Sequence, residues 1–242
     1  MKLRKLIILA VAPMMCLAAS AQDNTPKKGD FTVAATVGAN AYTNQNAVSG
    51  AGTYDISLES QSIDLASQKW MIGIEGGWFF HDLWKVTLGG GMNISTKPGY
   101  DAVEGATDAG LPGYNYVLNE STVQFNVYTG VDRYFDNLLN VDNLLPYAGV
   151  RLGYAYGRNS AQGDASWYGK SIGESFNIRT ALTVGLDYFV NETFFVGVQV
   201  DPFAYTYNRC TLKPQEGIRN LEADSNNFSF IAAPTLKIGF KF

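Results

Sequence analysis

Polar and apolar positions alternate along most of this chain, and that period of two defines its elements. From Asp30, DFTVAATVGANAYT places Phe31, Val33, Ala35, Val37 and Ala39 on one face and Thr32, Thr36, Gly38 and Asn40 on the other. From Lys69, KWMIGIEGGWFFH sets Trp70, Ile72, Ile74, Trp78 and Phe80 opposite Gly73, Glu75 and Gly77. The same alternation recurs in WKVTLGGGMNIS (84–95), TVQFNVYTGVDRYF (122–135), PYAGVRLGYAYG (146–157), FNIRTALTVGLDYFV (176–190), TFFVGVQVDPFAYTY (193–207) and NFSFIAAPTLKIGFKF (227–242). Eight such segments predict an all-β protein.

The connections alternate in length. Long ones run from Asn44 to Gln68, Thr96 to Ser121, Arg158 to Ser175 and Asn208 to Asn226, and short ones from His81 to Leu83, from Asp136 to Leu145 and at Asn191-Glu192. All four long connections fall at one end of an up-and-down sheet, the asymmetry of an outer-membrane barrel with long extracellular loops and short periplasmic turns. DNLLNVDNLL (136–145) is long and apolar for a turn. It reads either as strand ends continuing below the membrane or as a periplasmic contact patch.

Alternation does not say which face is wet, since a soluble eight-stranded barrel carries its apolar side chains inside. The polar face decides. It holds Gly73, Gly77, Gly89, Gly91, Gly130, Gly149, Gly153, Gly185, Gly197 and Gly239 among Thr, Asn, Gln and Tyr. A water-facing sheet favours Lys and Glu and loses strand stability at each glycine, whereas a narrow lumen accommodates small residues beside large ones. The apolar face is therefore assigned to lipid. Its aromatic residues sort by depth: Trp78, Phe80, Trp84, Phe135, Tyr147, Tyr188, Phe194, Phe240 and Phe242 toward the short turns, Trp70, Tyr154, Tyr156, Phe176 and Phe228 toward the long connections. Two such belts are expected at the two bilayer interfaces. The expected fold is an eight-stranded antiparallel up-and-down transmembrane β-barrel whose last strand closes on residues 31–42, because lipid leaves no partner for an open edge.

The amino terminus breaks the pattern. MKLRKLIILAVAPMMCLAASAQ has a basic start (Lys2, Arg4, Lys5), an apolar run from Leu6 to Ala19 and a small-residue end at Ala19-Ser20-Ala21. That is a secretory signal peptide cut before Gln22. The run is short for a membrane anchor and Pro13 interrupts it, and Pro13-Met14-Met15 is a poor match to the small residues that precede a lipidated cysteine. The expected organisation is a leader over 1–21, a short periplasmic segment over 22–29 and the barrel over 30–242. Without the leader's three cations the net charge moves from −4 to −7, which argues against a nucleic-acid partner. Cys16 leaves with the leader, so Cys210 has no internal partner for a disulfide or a cysteine metal cluster.

The whole mature chain resembles the small outer-membrane β-barrel superfamily that includes OmpA-type and OmpX-type barrels. The resemblance rests on the strand pattern, on Pro146-Tyr147-Ala148-Gly149-Val150-Arg151-Leu152-Gly153-Tyr154, similar to the PYxGxGxGY-type strand of these proteins, and on the terminal strand. It implies a place in the outer membrane among lipid and lipopolysaccharide. It also implies that Leu236, Ile238, Phe240 and Phe242 form the C-terminal signal read by the barrel-insertion machinery. OmpA-type proteins often carry a peptidoglycan-binding domain after the barrel; a chain stopping at Phe242 is expected to lack that anchor.

Candidate chemistry is sparse. Barrel hydrolases depend on a histidine toward the outer side, whereas His81 lies at the short-turn end beside Asp82; no catalytic residue, cofactor or metal is expected. By parity Lys85, Asp132, Arg151, Asp187, Lys237 and Lys241 project into the lower lumen, with Glu75, Arg179 and Asp201 higher. Glu75, Lys85, Asp132, Arg151, Arg179, Asp187 and Lys237 form the candidate charge cluster, read as a plug of paired charges or as the lining of a narrow conduit. Pro202 and Pro234 fall at one level on adjacent strands and predict a thin hydrogen-bond ladder or bulges. The first two loops hold Asp55, Glu59, Asp64, Asp101, Glu104, Asp108 and Glu120 against Lys97. They read as a solvated acidic surface or as sites for cations bridging to lipopolysaccharide. Tyr54, Tyr100, Tyr114 and Trp167 could pack within the loops or contact a partner or glycan. The expected role is non-enzymatic: a structural or surface-interaction protein acting through four long loops toward an extracellular ligand or envelope partner, with a small-solute channel and an accessory envelope subunit as alternatives.

Overall fold

The computed structural model describes residues 24–39, 70–106, 109–136, 138–139, 141–162, 170–213 and 219–242. The leader over 1–21, residues 40–42 of the first expected strand, the loop over 44–68 with Tyr54, Asp55, Glu59 and Asp64, and the positions Asp108 and Trp167 lie outside the described residues.

Eight strands follow in chain order: β1 (Phe31–Ala39), β2 (Trp70–His81), β3 (Trp84–Lys97), β4 (Asn119–Tyr134), β5 (Leu144–Gln162), β6 (Lys170–Phe189), β7 (Phe194–Lys213) and β8 (Leu221–Lys241). Each pairs with the next, and β8 returns to β1 to close the barrel. The closing seam runs from Thr32↔Lys241 to Gly38↔Thr235. Phe31 and Phe242 extend it by exchanging backbone hydrogen bonds of 3.0 and 2.8 Å. The edge that lipid could not satisfy is thereby paired.

The outward face is apolar as the alternation predicts: Ile72, Ile74, Leu88, Met92, Val127, Val150, Leu152, Leu182, Val198 and Ile238 are all exposed on the barrel's outer surface. Inward positions are small or polar. At Gly185 and Gly197 this is a packing requirement, because a Cβ there would overlap the Tyr147 ring and the Asp187 carboxylate respectively.

Strands β4 to β8 reach farther from the short turns than the alternation suggests; β5 continues to Gln162, β6 begins at Lys170 and β8 begins at Leu221. The third and fourth long connections therefore shrink to 163–169 and 214–220. Above the apolar band the outer face no longer meets lipid and turns polar, so the hydrophobic period-two signal fades while the backbone ladder and the burial of inward Ala161, Ser171 and Ser175 continue. Between β3 and β4, residues 98–106 and 109–118 form a ribbon tied by the bridges Tyr100↔Val117 and Val103↔Tyr114.

The proline level is irregular on both sides of β7. Its register shifts against β6 between Leu182 and Val184, and against β8 between Gln199 and Asp201. On β8, Ile231 and Ala233 take φ of 53° and 52° beside Pro234. A left-handed conformation is costly for residues with a Cβ, and here it absorbs the extra β8 residue opposite β7.

Candidate functional site

Six of the seven candidate charges meet in the lumen, each from a different strand: Glu75 (β2), Lys85 (β3), Asp132 (β4), Arg151 (β5), Asp187 (β6) and Lys237 (β8). All are buried. Lys237 Nζ donates to Glu75 Oε1 at 2.7 Å. The Arg151 guanidinium forks onto both carboxylate oxygens of Asp132, with Nη2 at 2.9 Å from Oδ2. Lys85 Nζ stands centrally, 3.8 Å from Glu75, 3.7 Å from Asp132 and 3.8 Å from Asp187. Tyrosine hydroxyls take up further carboxylate capacity: Tyr128 donates to Glu75 Oε2 at 3.0 Å and Tyr134 to Asp187 Oδ2 at 2.6 Å. Three carboxylates and three cations leave no net charge. Buried charges persist where they are paired and hydrogen-bonded in this way.

Glu75 is thus part of the lower cluster, not a higher element, because its partner Lys237 approaches from β8 across the closing strand. Arg179 does not join the six. It donates through Nη2 to Asp201 at 2.9 Å, and Asp201 also accepts from Thr183 at 3.0 Å. This second pair sits beside the β7 bulge, consistent with the way bulges re-aim side chains. Lys241 lies at the short-turn mouth, where Nζ donates to the Asn24 carbonyl at 3.1 Å and stands 3.5 Å from Asp30. The N-terminal segment is tied across the same mouth, with Lys28 N bonded to Asp82 and Asn24 N to Asn143.

Below the charges lies an aromatic floor. Phe79, Tyr134, Tyr147, Phe189 and Phe195 pack with Leu145 and Ala34 inside the barrel. Tyr147 is a correction: it is 1% exposed, on the same inward row as Arg151, and belongs to this floor rather than to the outer belt. Its ring lies 5.0 Å from that of Tyr134. Lys85 Nζ is 5.1 Å from the Tyr134 ring centre and 5.6 Å from that of Tyr147, close enough for cation–π attraction. The floor was missed in the alternation, yet it has a signal. Aromatic residues stand side by side at Trp78-Phe79-Phe80, Tyr134-Phe135, Tyr188-Phe189 and Phe194-Phe195, and consecutive strand residues point to opposite faces. One member of each group must therefore enter the lumen.

Above the six charges the lumen is polar, with Arg179 and Asp201 as a charged pair in it. Gln124, Asn126, Asn177, Asn208, Ser175 and Thr206 are buried there. The side-chain oxygens of Gln124 and Asn208 and the amide nitrogen of Asn177 make no hydrogen bond to the described residues. Such groups fit a wet upper lumen.

At the outer end, Tyr156 and Phe176 close the apolar band. Just above them, Glu174 accepts from Lys213 Nζ at 2.6 Å and from the Tyr156 hydroxyl at 3.0 Å. The Lys213 hydrogen bond holds the Glu174 carboxyl below its usual range. On the ribbon, Tyr100 and Tyr114 are exposed, and Glu120 pairs with Lys97 at 3.0 Å. Among the described residues no cluster of His, Cys, Asp and Glu could hold a metal ion. His81 stays exposed at the β2–β3 turn, with Nδ1 3.2 Å from the Asp82 carbonyl.

Eight antiparallel strands closed on themselves, an apolar outer band and a charge-filled interior define a transmembrane barrel of the cell outer membrane. The family follows from the sequence: residues 58–242 match the OmpA-OmpF-like porin family, to which the chain belongs. Solved structures of similar fold include OprG of Pseudomonas aeruginosa (TM-score 0.48, 16% identity, 91% of this chain and 99% of that one). Another is Ail of Yersinia pestis in complex with the heparin analogue sucrose octasulfate (TM-score 0.44, 9% identity, 89% and 99%). OprH of Pseudomonas aeruginosa is a third (TM-score 0.39, 15% identity, 88% and 99%). No curated protein matches the chain by sequence.

Proposed function

We propose that this protein is a non-enzymatic, non-conducting outer-membrane barrel that acts as a structural or surface-interaction protein through its outer end. The observation that carries this reading is the balanced cluster of Glu75, Lys85, Asp132, Arg151, Asp187 and Lys237 seated on its aromatic floor. An eight-stranded barrel encloses little more than side chains. Here those side chains are mutually bonded, and opening a path would separate buried charges from their partners. The outer end supplies surface for contact, above all the ribbon between β3 and β4 with Tyr100, Val103, Leu111 and Tyr114 exposed.

A narrow channel is the second reading, favoured by the polar upper lumen around Gln124, Asn177 and Asn208 and requiring Lys85 and Arg151 to swing aside. Single-channel recording in a planar bilayer separates the two, with heat-modifiable gel mobility as the check that the barrel has formed. Silence from a heat-modifiable barrel is expected. Reproducible conductance steps that change with Arg151→Ala would replace the plug with the channel.

A further inference from the structure

Three polar groups of the upper lumen end on nothing. Gln124 Oε1 on β4, Asn177 Nδ2 on β6 and Asn208 Oδ1 on β7 make no hydrogen bond to the described residues. At 8%, 1% and 5% exposure, each residue is more than nine-tenths buried. Amide groups left unmet out of water are costly, so something other than these side chains completes them.

They flank a bare stretch of wall. Asn177 and Asn208 are direct cross-strand partners. Between β4 and β6 runs β5, whose inward positions above Arg151 are Gly153, Ala155 and Gly157, all buried and none carrying more than a methyl group. The backbones of β4 and β6 stand two strand spacings apart, roughly 10 Å. Strand tilt carries the ladder row through Asn126, Ala155 and Asn177 upward toward β6, which brings Asn177 to the height of Gln124. The same tilt shows lower down, where Lys85 meets Asp187 although its own row runs through Asp132 and Gly149 to Thr183. Arg179, just below, bonds to Asp201 and Thr206, so this wall carries no net charge. Above it, Thr122 and Asn159 are joined at 3.1 Å and partly exposed. The wall therefore opens toward the outer end, while the six charges close the lumen beneath it.

We propose that Gln124, Asn177 and Asn208 form a blind binding site for a small neutral polyol, an uncharged molecule with neighbouring hydroxyl groups such as glycerol or a monosaccharide. Two carbonyl oxygens call for donors and one amide nitrogen for an acceptor, and a hydroxyl supplies both. Neighbouring hydroxyls bridge from Gln124 to the Asn177 and Asn208 pair over Ala155 and Gly157. A charged solute would arrive without a counter-charge, because Arg179 and Asp201 already hold each other. Binding of this kind goes beyond a barrel that acts at its rim, and it requires no passage across the membrane: the solute enters and leaves on the same side.

The test follows the side-chain amide signals of the full barrel by nuclear magnetic resonance, in phosphocholine micelles titrated with glycerol and with glucose. Saturable shifts at Gln124, Asn177 and Asn208 are expected, while the amide of Asn220 at the exposed rim should drift linearly. The double variant Gln124→Leu, Asn208→Leu, read at Asn177, should bind roughly tenfold more weakly, the scale of two neutral hydrogen bonds. Asn208→Gln keeps an amide and should keep most of the binding, which separates a lost contact from a folding defect; heat-modifiable mobility is checked for each variant. Linear drift at all four amides means that the upper lumen holds water only and overturns the site, as does undiminished binding by the double variant. Equal saturation by acetate or ethylammonium overturns the neutral assignment. Saturable shifts in a barrel that conducts would overturn the closed lumen and keep the site, so the two readings fail separately.

Discussion

A buried charge that loses its partner cannot return to water, so single deletions in the lumen cost more than the pair itself contributes. Arg151→Ala leaves Asp132 facing only Lys85 at 3.7 Å, and the expected loss is about 3–5 kcal/mol, read from urea unfolding of the barrel in lipid vesicles. Replacing both partners, Arg151→Met with Asp132→Leu, should cost clearly less. The remaining Glu75, Lys85, Asp187 and Lys237 still balance. A double loss as large as the single one would mean that Arg151 matters by volume and not by charge. Glycines give a second contrast. Gly185→Ala drives a Cβ into the Tyr147 ring, overpacking of roughly 1–3 kcal/mol that should also strain the bond from Tyr147 to Gln199. Gly76 faces outward, where a Cβ meets nothing closer than the Leu88 carbonyl at 3.7 Å; Gly76→Ala should be neutral or stabilising by the same measurement.

At the scale of the strands, the irregular level around Pro202 and Pro234 yields its own expectation. Ala233 is held at a φ of 52°, where a Cβ costs roughly 1–2 kcal/mol, so Ala233→Gly should leave the unfolding midpoint unchanged or raise it. Ala35→Gly, at a regular outward position of β1, should lower it. The opposite order would show that the left-handed backbone at Ala233 carries no cost. Most of this architecture was legible in the sequence, and for a physical reason: where one face meets lipid and the other a narrow lumen, every second residue is constrained. The bulge was legible too, since neither of two prolines at one level can donate to the ladder. Strand ends above the bilayer were not, because the outer face there no longer meets lipid, which removes the apolar constraint from β5 beyond Arg158 and from β6 before Phe176. Tyr147 was misplaced because an aromatic residue near the interface was read by type; its parity with Arg151 sends it inward. Arg179 was placed higher in the lumen together with Asp201, and there the two pair; grouping Arg179 with the lower charges set aside its distance along β6 from Asp187.

For the molecule as a whole, the closing seam between β1 and β8 is, among the described residues, shorter than the β7–β8 ladder, which extends from Phe194↔Phe240 to Leu212↔Leu221. The backbone exchange between Phe31 and Phe242 secures its lower end. Removing Phe242 deletes both of those bonds and the last aromatic residue of the belt. The expected result is slower assembly into vesicles, followed as the appearance of the heat-modifiable form, with an unchanged rate if the seam is held by the remaining pairs alone.

The bond between Lys237 and Glu75 joins residues 162 positions apart, one from the second strand and one from the eighth. Neither finds its partner before the final hairpin arrives. Until that moment Glu75 has only the more distant Lys85 of β3, at 3.8 Å, and a half-built sheet that slid into lipid would carry it there incompletely paired. Entry of the early strands must therefore wait for the late ones. The interior works as a stamp of completion, applied only to a finished ring, and the same contacts that close the lumen make a partial barrel a poor resident of the membrane.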